Sequence, residues 1–215
     1  MQIKAVLFDR DGVLLDYDEA AAMNFFTGLF EVSTQELFEH WEKWGRKVGF
    51  PKTLHEEKFF FEGFWQELSQ VYQLDAAAQK KLHDLDYLKF LQPFPEVIPT
   101  LQKIKACGLE MGVLSNFSLA SLEASLEKTG LLDFFKAACA ATVIGASKPE
   151  AKAYEIALDQ LGYSAKEVLF VDDKADNVLG AEKIGMQSLL LDRSLPAHQY
   201  EHQSIADLSG VLYFL

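Results

Sequence analysis

Four short polar fragments in this chain carry residue types suited to moving a phosphoryl group, and each comes after an apolar run. They are Asp9-Arg10-Asp11-Gly12, Ser115-Asn116, Ser147-Lys148-Pro149 and Asp172-Asp173. Asp9 and Asp11 are two apart, so on an extended backbone they lean to the same side, roughly 6–7 Å apart at strand rise. That gap suits one carboxylate attacking a phosphorus while the other handles the proton of the leaving oxygen. Ser115 offers a short neutral donor to a phosphoryl oxygen, with Asn116 beside it as a further phosphate contact. Lys148 offers a point charge for the equatorial oxygens. Ionised Asp9, Asp172 and Asp173 with a phosphate dianion carry about −5, and Lys148 with one divalent cation brings this to about −2 if Asp11 is protonated. The sequence therefore predicts a hard, oxygen-liganded cofactor, Mg²⁺.

For fragments separated by more than 160 residues to meet, the elements before them must lie side by side. Residues 3–8, 110–114, 168–171 and 187–191 read as buried parallel strands, and 138–144 as a weaker fifth. They alternate with helical stretches, which predicts an α/β chain with a doubly wound parallel sheet. Polar residues just past the strand ends then share one crevice at the carboxyl edge, where open parallel sheets bind their ligands. The helices have stops: Leu101 and Ile104 precede Gly108, Ile156 and Leu161 precede Gly162, and Val178, Ala181 and Ile184 precede Gly185.

Residues 16–92 break this rhythm and read as helical almost throughout. Leu37, Trp41 and Trp44 repeat at helical spacing, as do Phe61, Phe64, Trp65 and Leu68. Of the 27 aromatic residues, 17 fall between Tyr17 and Phe94, which predicts a small bundle with its own core rather than one crossover. The expected division is a catalytic core of 1–15 and 93–215 and a helical domain of 16–92.

Composition excludes several classes. Nearly half of the 215 residues are apolar and the formal charge is −12, which opposes disorder and a cationic groove for nucleic acid. No apolar run approaches the ~18–20 residues of a membrane span, and acids interrupt the N-terminal apolar stretch that a secretion signal needs. A cytoplasmic monomer or homodimer that binds neither nucleic acid nor membrane is expected. Cys107 and Cys139 read as buried small apolar groups, and His198 and His202, four apart, as surface residues rather than a metal pair.

Taken together, Asp9-Arg10-Asp11-Gly12-Val13, Ser115, Lys148 and Asp172-Asp173 resemble the four motifs of the haloacid dehalogenase-like (HAD) hydrolase superfamily, subfamily I. The resemblance spans essentially the whole chain, including a helical C1-type cap inserted after the first strand. It implies a Rossmann-like core, with Asp9 as nucleophile and Asp11 as acid and base. It also implies Mg²⁺ held by Asp9, the Asp11 backbone carbonyl and Asp173, with the acidic pair placing Asp172 as an auxiliary ligand or a supporting residue. Asn177 stands where many members carry another Asp.

Members that displace halide resemble Asp-x-Tyr at the first motif, whereas this chain has Asp11. The expected activity is therefore a Mg²⁺-dependent phosphohydrolase, a phosphoric monoester hydrolase acting on a small phosphorylated metabolite. The alternatives are a sugar phosphomutase on the same core, a 2-haloacid dehalogenase, and a phosphate-accepting domain without turnover. Alone, each fragment has a plainer reading: a turn before Gly12 for Asp9 and Asp11, helix caps for Ser115, Asp172 and Asp173, and a solvated residue for Lys148.

Overall fold

Residues 2–215 are described by a computed structural model. Its strands are β1 (Ala5–Phe8), β2 (Leu15–Tyr17), β3 (Leu91–Pro93), β4 (Glu110–Ser115), β5 (Ala137–Ala140), β6 (Val168–Asp172), β7 (Gln187–Leu191) and β8 (Ser204–Ile205). Between them lie α1 (Glu19–Thr27), α2 (Thr34–Val48), α3 (Leu54–Val71), α4 (Ala76–His83), α5 (Val97–Ala106), α6 (Leu122–Lys128), α7 (Ala141–Ile144), α8 (Ala151–Leu161) and α9 (Ala175–Lys183).

Six strands form a parallel sheet in the order β5-β4-β1-β6-β7-β8. β1 is central, and its four residues are fully buried because helices cover both faces. Alternation along β1 sends Val6 and Phe8 into a cluster with Leu101 and Ile104 of α5. Ala5 and Leu7 go to the opposite cluster, with Tyr154 and Leu161 of α8. The chain runs from β1 to β4 and β5 on one side, then to β6, β7 and β8 on the other. The order therefore reverses at β1, where a ligand crevice opens beyond the strand ends. The stops at Gly108, Gly162 and Gly185 all have positive φ, the backbone that ends a helix at least cost in glycine.

Three sequence expectations change. The run 138–144 is a strand only to Ala140: its pairing with β4 ends where Ser115 meets Ala140, and the chain then turns into α7. Residues 16–92 are not strand-free at their ends, because β2 and β3 pair antiparallel, with Leu15 opposite Pro93 and Tyr17 opposite Leu91. Their three-residue length gave no periodic signal. β8, two residues long, escaped for the same reason.

Helices α1 to α4 lie between β2 and β3 and pack around Phe26, Phe64, Trp65, Leu68 and Leu82. Capping starts them: Asp18, Ser33, Thr53 and Asp75 each accept a backbone N–H with their side chains. Among the described residues, no helix is long and apolar enough to cross a membrane.

Candidate active site

Asp9 is the first residue past β1, and its amide donates to the Val171 carbonyl at 2.8 Å, which anchors it between β1 and β6. Its carboxylate is almost wholly buried. Oδ1 accepts the Arg10 amide at 2.7 Å and lies 2.8 Å from Lys148 Nζ. Lys148 is fully buried at its side chain and also donates to Asp172 Oδ2 at 2.6 Å. One ammonium thus bridges the residues that follow β1 and close β6.

Lys148 is held there by its backbone. Asn116, just past β4, accepts the Lys148 amide at 2.8 Å through Oδ1 and donates to the Lys148 carbonyl at 2.8 Å through Nδ2. Any phosphate contact from Asn116 is thereby left to its backbone N–H rather than its side chain. Its side-chain amide is spent on docking the Lys148 loop, because two carbonyl–amide partners at ideal distance satisfy it more fully than a transient anion. Ser115 is buried at the end of β4, next to β1.

Asp172 is completely buried and saturated. Besides Lys148, it accepts the Lys174 amide at 2.8 Å and Nδ2 of Asn177 at 3.0 Å on both oxygens. These contacts hold Lys148 in place, and Asn177 holds Asp172 in turn. From sequence alone Asn177 has no role; its spacing of five from Asp172, across the first turn of α9, is the signal that could have found it.

Asp173 is exposed and faces the β1 loop. Carboxylate oxygens of Asp9, Asp172 and Asp173 lie within 4.8 Å of one another. Gly12, with φ +76°, makes this approach possible: a Cβ there would sit 2.7 Å from Asp173 Oδ2. Burial is the main cause raising both the Asp9 and Asp173 carboxyls above the usual range. Asp172 adds to both shifts, while Lys148 opposes the rise at Asp9. Three carboxylates with one buried ammonium among them form a net-negative, oxygen-rich cluster that suits a hard divalent cation.

Family comparison fits this arrangement. A family model described as haloacid dehalogenase-like hydrolase matches residues 3–185. The chain belongs to this family. It is 33% identical to Phosphatase MT3486 of Mycobacterium tuberculosis (strain CDC 1551 / Oshkosh), covering 99% of this chain and 98% of that one. It is 27% identical to (S)-2-haloacid dehalogenase 4A of Burkholderia cepacia, covering 93% and 87%. Among solved structures, a HAD phosphatase from Thermococcus onnurineus superposes with a TM-score of 0.64 at 27% identity, over 99% of this chain and 97% of that one.

In this HAD-like hydrolase, Asp11 differs from the sequence expectation. The extended backbone stops at Phe8, and the chain turns back, with the Leu14 and Leu15 amides both on the Arg10 carbonyl. The spacing argument for an extended backbone therefore does not apply, and Asp11 is half-exposed where Asp9 is buried. Its carboxylate takes Nε and Nη2 of Arg10 at 3.1 and 3.0 Å. Arg10 itself is buried, donates to Ser125 Oγ at 3.0 Å and stacks 3.8 Å from the Phe117 ring centre.

Above these loops a cavity of about 480 Å³ opens between the helical segment and the sheet edge, with Asp11 on its wall. Side chains of the helical segment grip the core beside it. Glu57 of α3 accepts the Ala120 and Ser121 amides at 2.8 and 2.9 Å, and the Tyr87 hydroxyl lies 2.5 Å from Ser121 Oγ. Burial raises the Tyr87 phenol well above its usual range, so it stays neutral.

Two residues outside the site also correct the sequence reading. Cys107 is exposed, one residue past the end of α5. His198 is partly buried rather than a surface residue, with its Nδ1 accepting the Ala206 amide at 3.1 Å, whereas His202 is exposed as expected.

Proposed function

We propose that the protein is a Mg²⁺-dependent phosphohydrolase that works through a phosphoryl group carried on Asp9. The single observation behind this reading is the Asp9–Lys148–Asp172 chain of contacts beside Asp173. It gathers a nucleophile, a cation for phosphoryl oxygens and a ligand set for a hard ion within one crevice. Asp11 separates it from the dehalogenase-named relatives, since an acid at this position serves an alkoxide leaving group and a halide needs none.

Oδ1 of Asp9 is tied to the Arg10 amide and Lys148, so Oδ2 is the oxygen open to phosphorus. Attack breaks the ester P–O bond, and Asp11 gives the departing oxygen its proton. Asp11, now a carboxylate, removes a proton from water, which attacks the phospho-Asp9 and releases phosphate. Ser115 and Lys148 steady the phosphoryl oxygens through both transfers. Asp9, Asp173 and the Asp11 carbonyl would hold Mg²⁺, which when bound supplies positive charge against the crowded carboxylates and the phosphate.

Residues 16–92 act as the cap that closes on the crevice, and the substrate is a small phosphorylated metabolite. The deciding experiment is a screen of phosphate esters with Mg²⁺ and with EDTA, run beside halide release from a 2-haloacid. Phosphate release only with Mg²⁺ supports the reading; metal-independent halide release overturns it.

A further inference from the structure

The cavity beside Asp11 holds information about the part of the substrate that leaves. Its volume, about 480 Å³, falls within the ~300–1,000 Å³ range of small-molecule sites. Its walls are mainly aromatic: Phe26, Trp41, Phe61, Phe64 and Trp65 from the helical segment and Phe117 from the loop after β4. From sequence, such periodic aromatics read as bundle core. Here several of them pack the bundle with one edge and face the chamber with the other.

The charged groups on the walls, with Asn116 and Tyr87, are already engaged, which leaves the Tyr17 and Ser118 hydroxyls as neutral polar groups there. Arg10 and Asp11 are the charged residues among the lining, and each neutralises the other. Asn116 is committed to the Lys148 backbone and Tyr87 to Ser121. Among the described lining residues, no free cation is left to receive a carboxylate or a second phosphate on the substrate. Burying such a group without a partner is costly, whereas burying apolar surface against these rings is favourable. Asp11 fixes the orientation, since the proton it delivers goes to the ester oxygen, and whatever that oxygen carries must extend into the chamber.

We propose that this enzyme acts on phosphate monoesters of uncharged, apolar alcohols, alkyl or aryl, whose body fills the aromatic chamber. The proposal rests on the phosphohydrolase reading for its chemistry but not for its binding. Each buried methylene is worth ~0.8 kcal/mol, so kcat/KM should climb about threefold to fourfold per carbon until the chamber fills.

The test uses the full chain with Mg²⁺ and the n-alkyl phosphates from methyl to octyl, beside glycerol 3-phosphate and phosphoglycolate. A second readout, independent of turnover, is the fluorescence of Trp41 and Trp65 during titration with 1-hexanol and 2-phenylethanol. Phe38, which lines the chamber but is 62% exposed, gives a variant that does not disturb the fold, and Phe38→Asp should flatten the chain-length series. A rising series with saturable quenching by the alcohols supports the proposal. Saturable quenching without phosphate from any ester retains the apolar ligand and overturns only the phosphatase chemistry. A flat series, preference for phosphoglycolate, or absence of quenching overturns the proposal.

Discussion

Arg10 and Asp11 are neighbours in the chain and partners in space, with the guanidinium clasping the carboxylate at 3.1 and 3.0 Å. Asp11 has half of its side chain exposed; Arg10 is buried, locked under Phe117 and against Ser125. The buried cation therefore aims the exposed carboxylate. Each Asp11 oxygen keeps a lone pair outside the clasp, and the proton for the ester oxygen is carried there while the Arg10 contact stays in place.

Removing the clasp should therefore damage aim more than binding. Arg10→Met keeps the buried volume and leaves Asp11 solvated, so the fold should lose only about 1–2 kcal/mol. We expect kcat on alkyl phosphates to fall at least about tenfold, while an aryl phosphate with a good leaving group, which needs little proton assistance, changes less. Steady-state kinetics on both ester classes checks this, and equal losses would show that Arg10 does not act through the acid.

Asp9 makes a prediction about stability. Its carboxyl is raised to about 7 in the folded chain, chiefly by burial, against the ordinary ~3.9 of an unfolded one. The folded state thus binds this proton more tightly. That contribution is fully present below about pH 4 and is lost as pH rises toward 7. Asp9→Asn removes the dependence. In EDTA at pH 8 the variant should be more stable than the wild type by at least about 2 kcal/mol, roughly 4–8 °C in Tm, with the gap narrowing at pH 5. Thermal denaturation at the two pH values measures it, and the same variant should release no phosphate. A gap that widens on acidification would reverse the sign assigned to Asp9.

What could be read in advance follows from how local each signal is. Strands β1, β4, β6 and β7 are continuous apolar runs because both faces of the sheet are covered, and such runs survive in sequence. Their carboxyl ends then place Asp9, just past β1, and Ser115 and Asp172, which close β4 and β6, at one edge by topology alone. The short antiparallel pair at Leu15 and Pro93 had no period to detect. The partner choices of polar groups were equally hidden: nothing in the spacing says that Asn116 serves the Lys148 backbone, or that Asp172 faces Lys148 and Asn177 while Asp173 faces Gly12. These depend on which side of a turn each side chain takes. The chamber was masked because a helix with aromatic residues at i, i+3 and i+4 has the same sequence whether its stripe meets another helix or a ligand.

Gly12 and Asp173 yield a metal-dependence prediction. Adding a methyl at Gly12 puts a carbon 2.7 Å from Asp173 Oδ2, at a backbone angle few other residues adopt. Gly12→Ala should displace that carboxylate and raise the Mg²⁺ concentration for half-maximal activity by about 10–100-fold, comparable to other changes that misplace a ligand. Asp173→Asn should raise it further, and EDTA should abolish activity in all three proteins. Activity titrated against Mg²⁺ is the measurement. An unchanged midpoint in Gly12→Ala would remove Asp173 from the metal site.

Glu57 tests whether the helical segment works as a closing cap. Its carboxylate reaches across from α3 to two amides of the core, at Ala120 and Ser121, in the loop that follows Ser118 and Leu119 on the chamber wall. Closure bought by this contact lowers the free energy of the substrate-bound state, while proton and phosphoryl transfer occur elsewhere. Glu57→Ala should therefore raise KM about tenfold, the equivalent of ~1.4 kcal/mol, and change kcat less than about threefold. It should also speed proteolysis of residues 16–92 in the absence of substrate, with protection restored by an apolar phosphate ester that bridges the two parts. If Glu57→Ala lowers Tm while KM and substrate protection stay as in the wild type, the contact serves stability alone and closure must be sought in Tyr87 and Ser121.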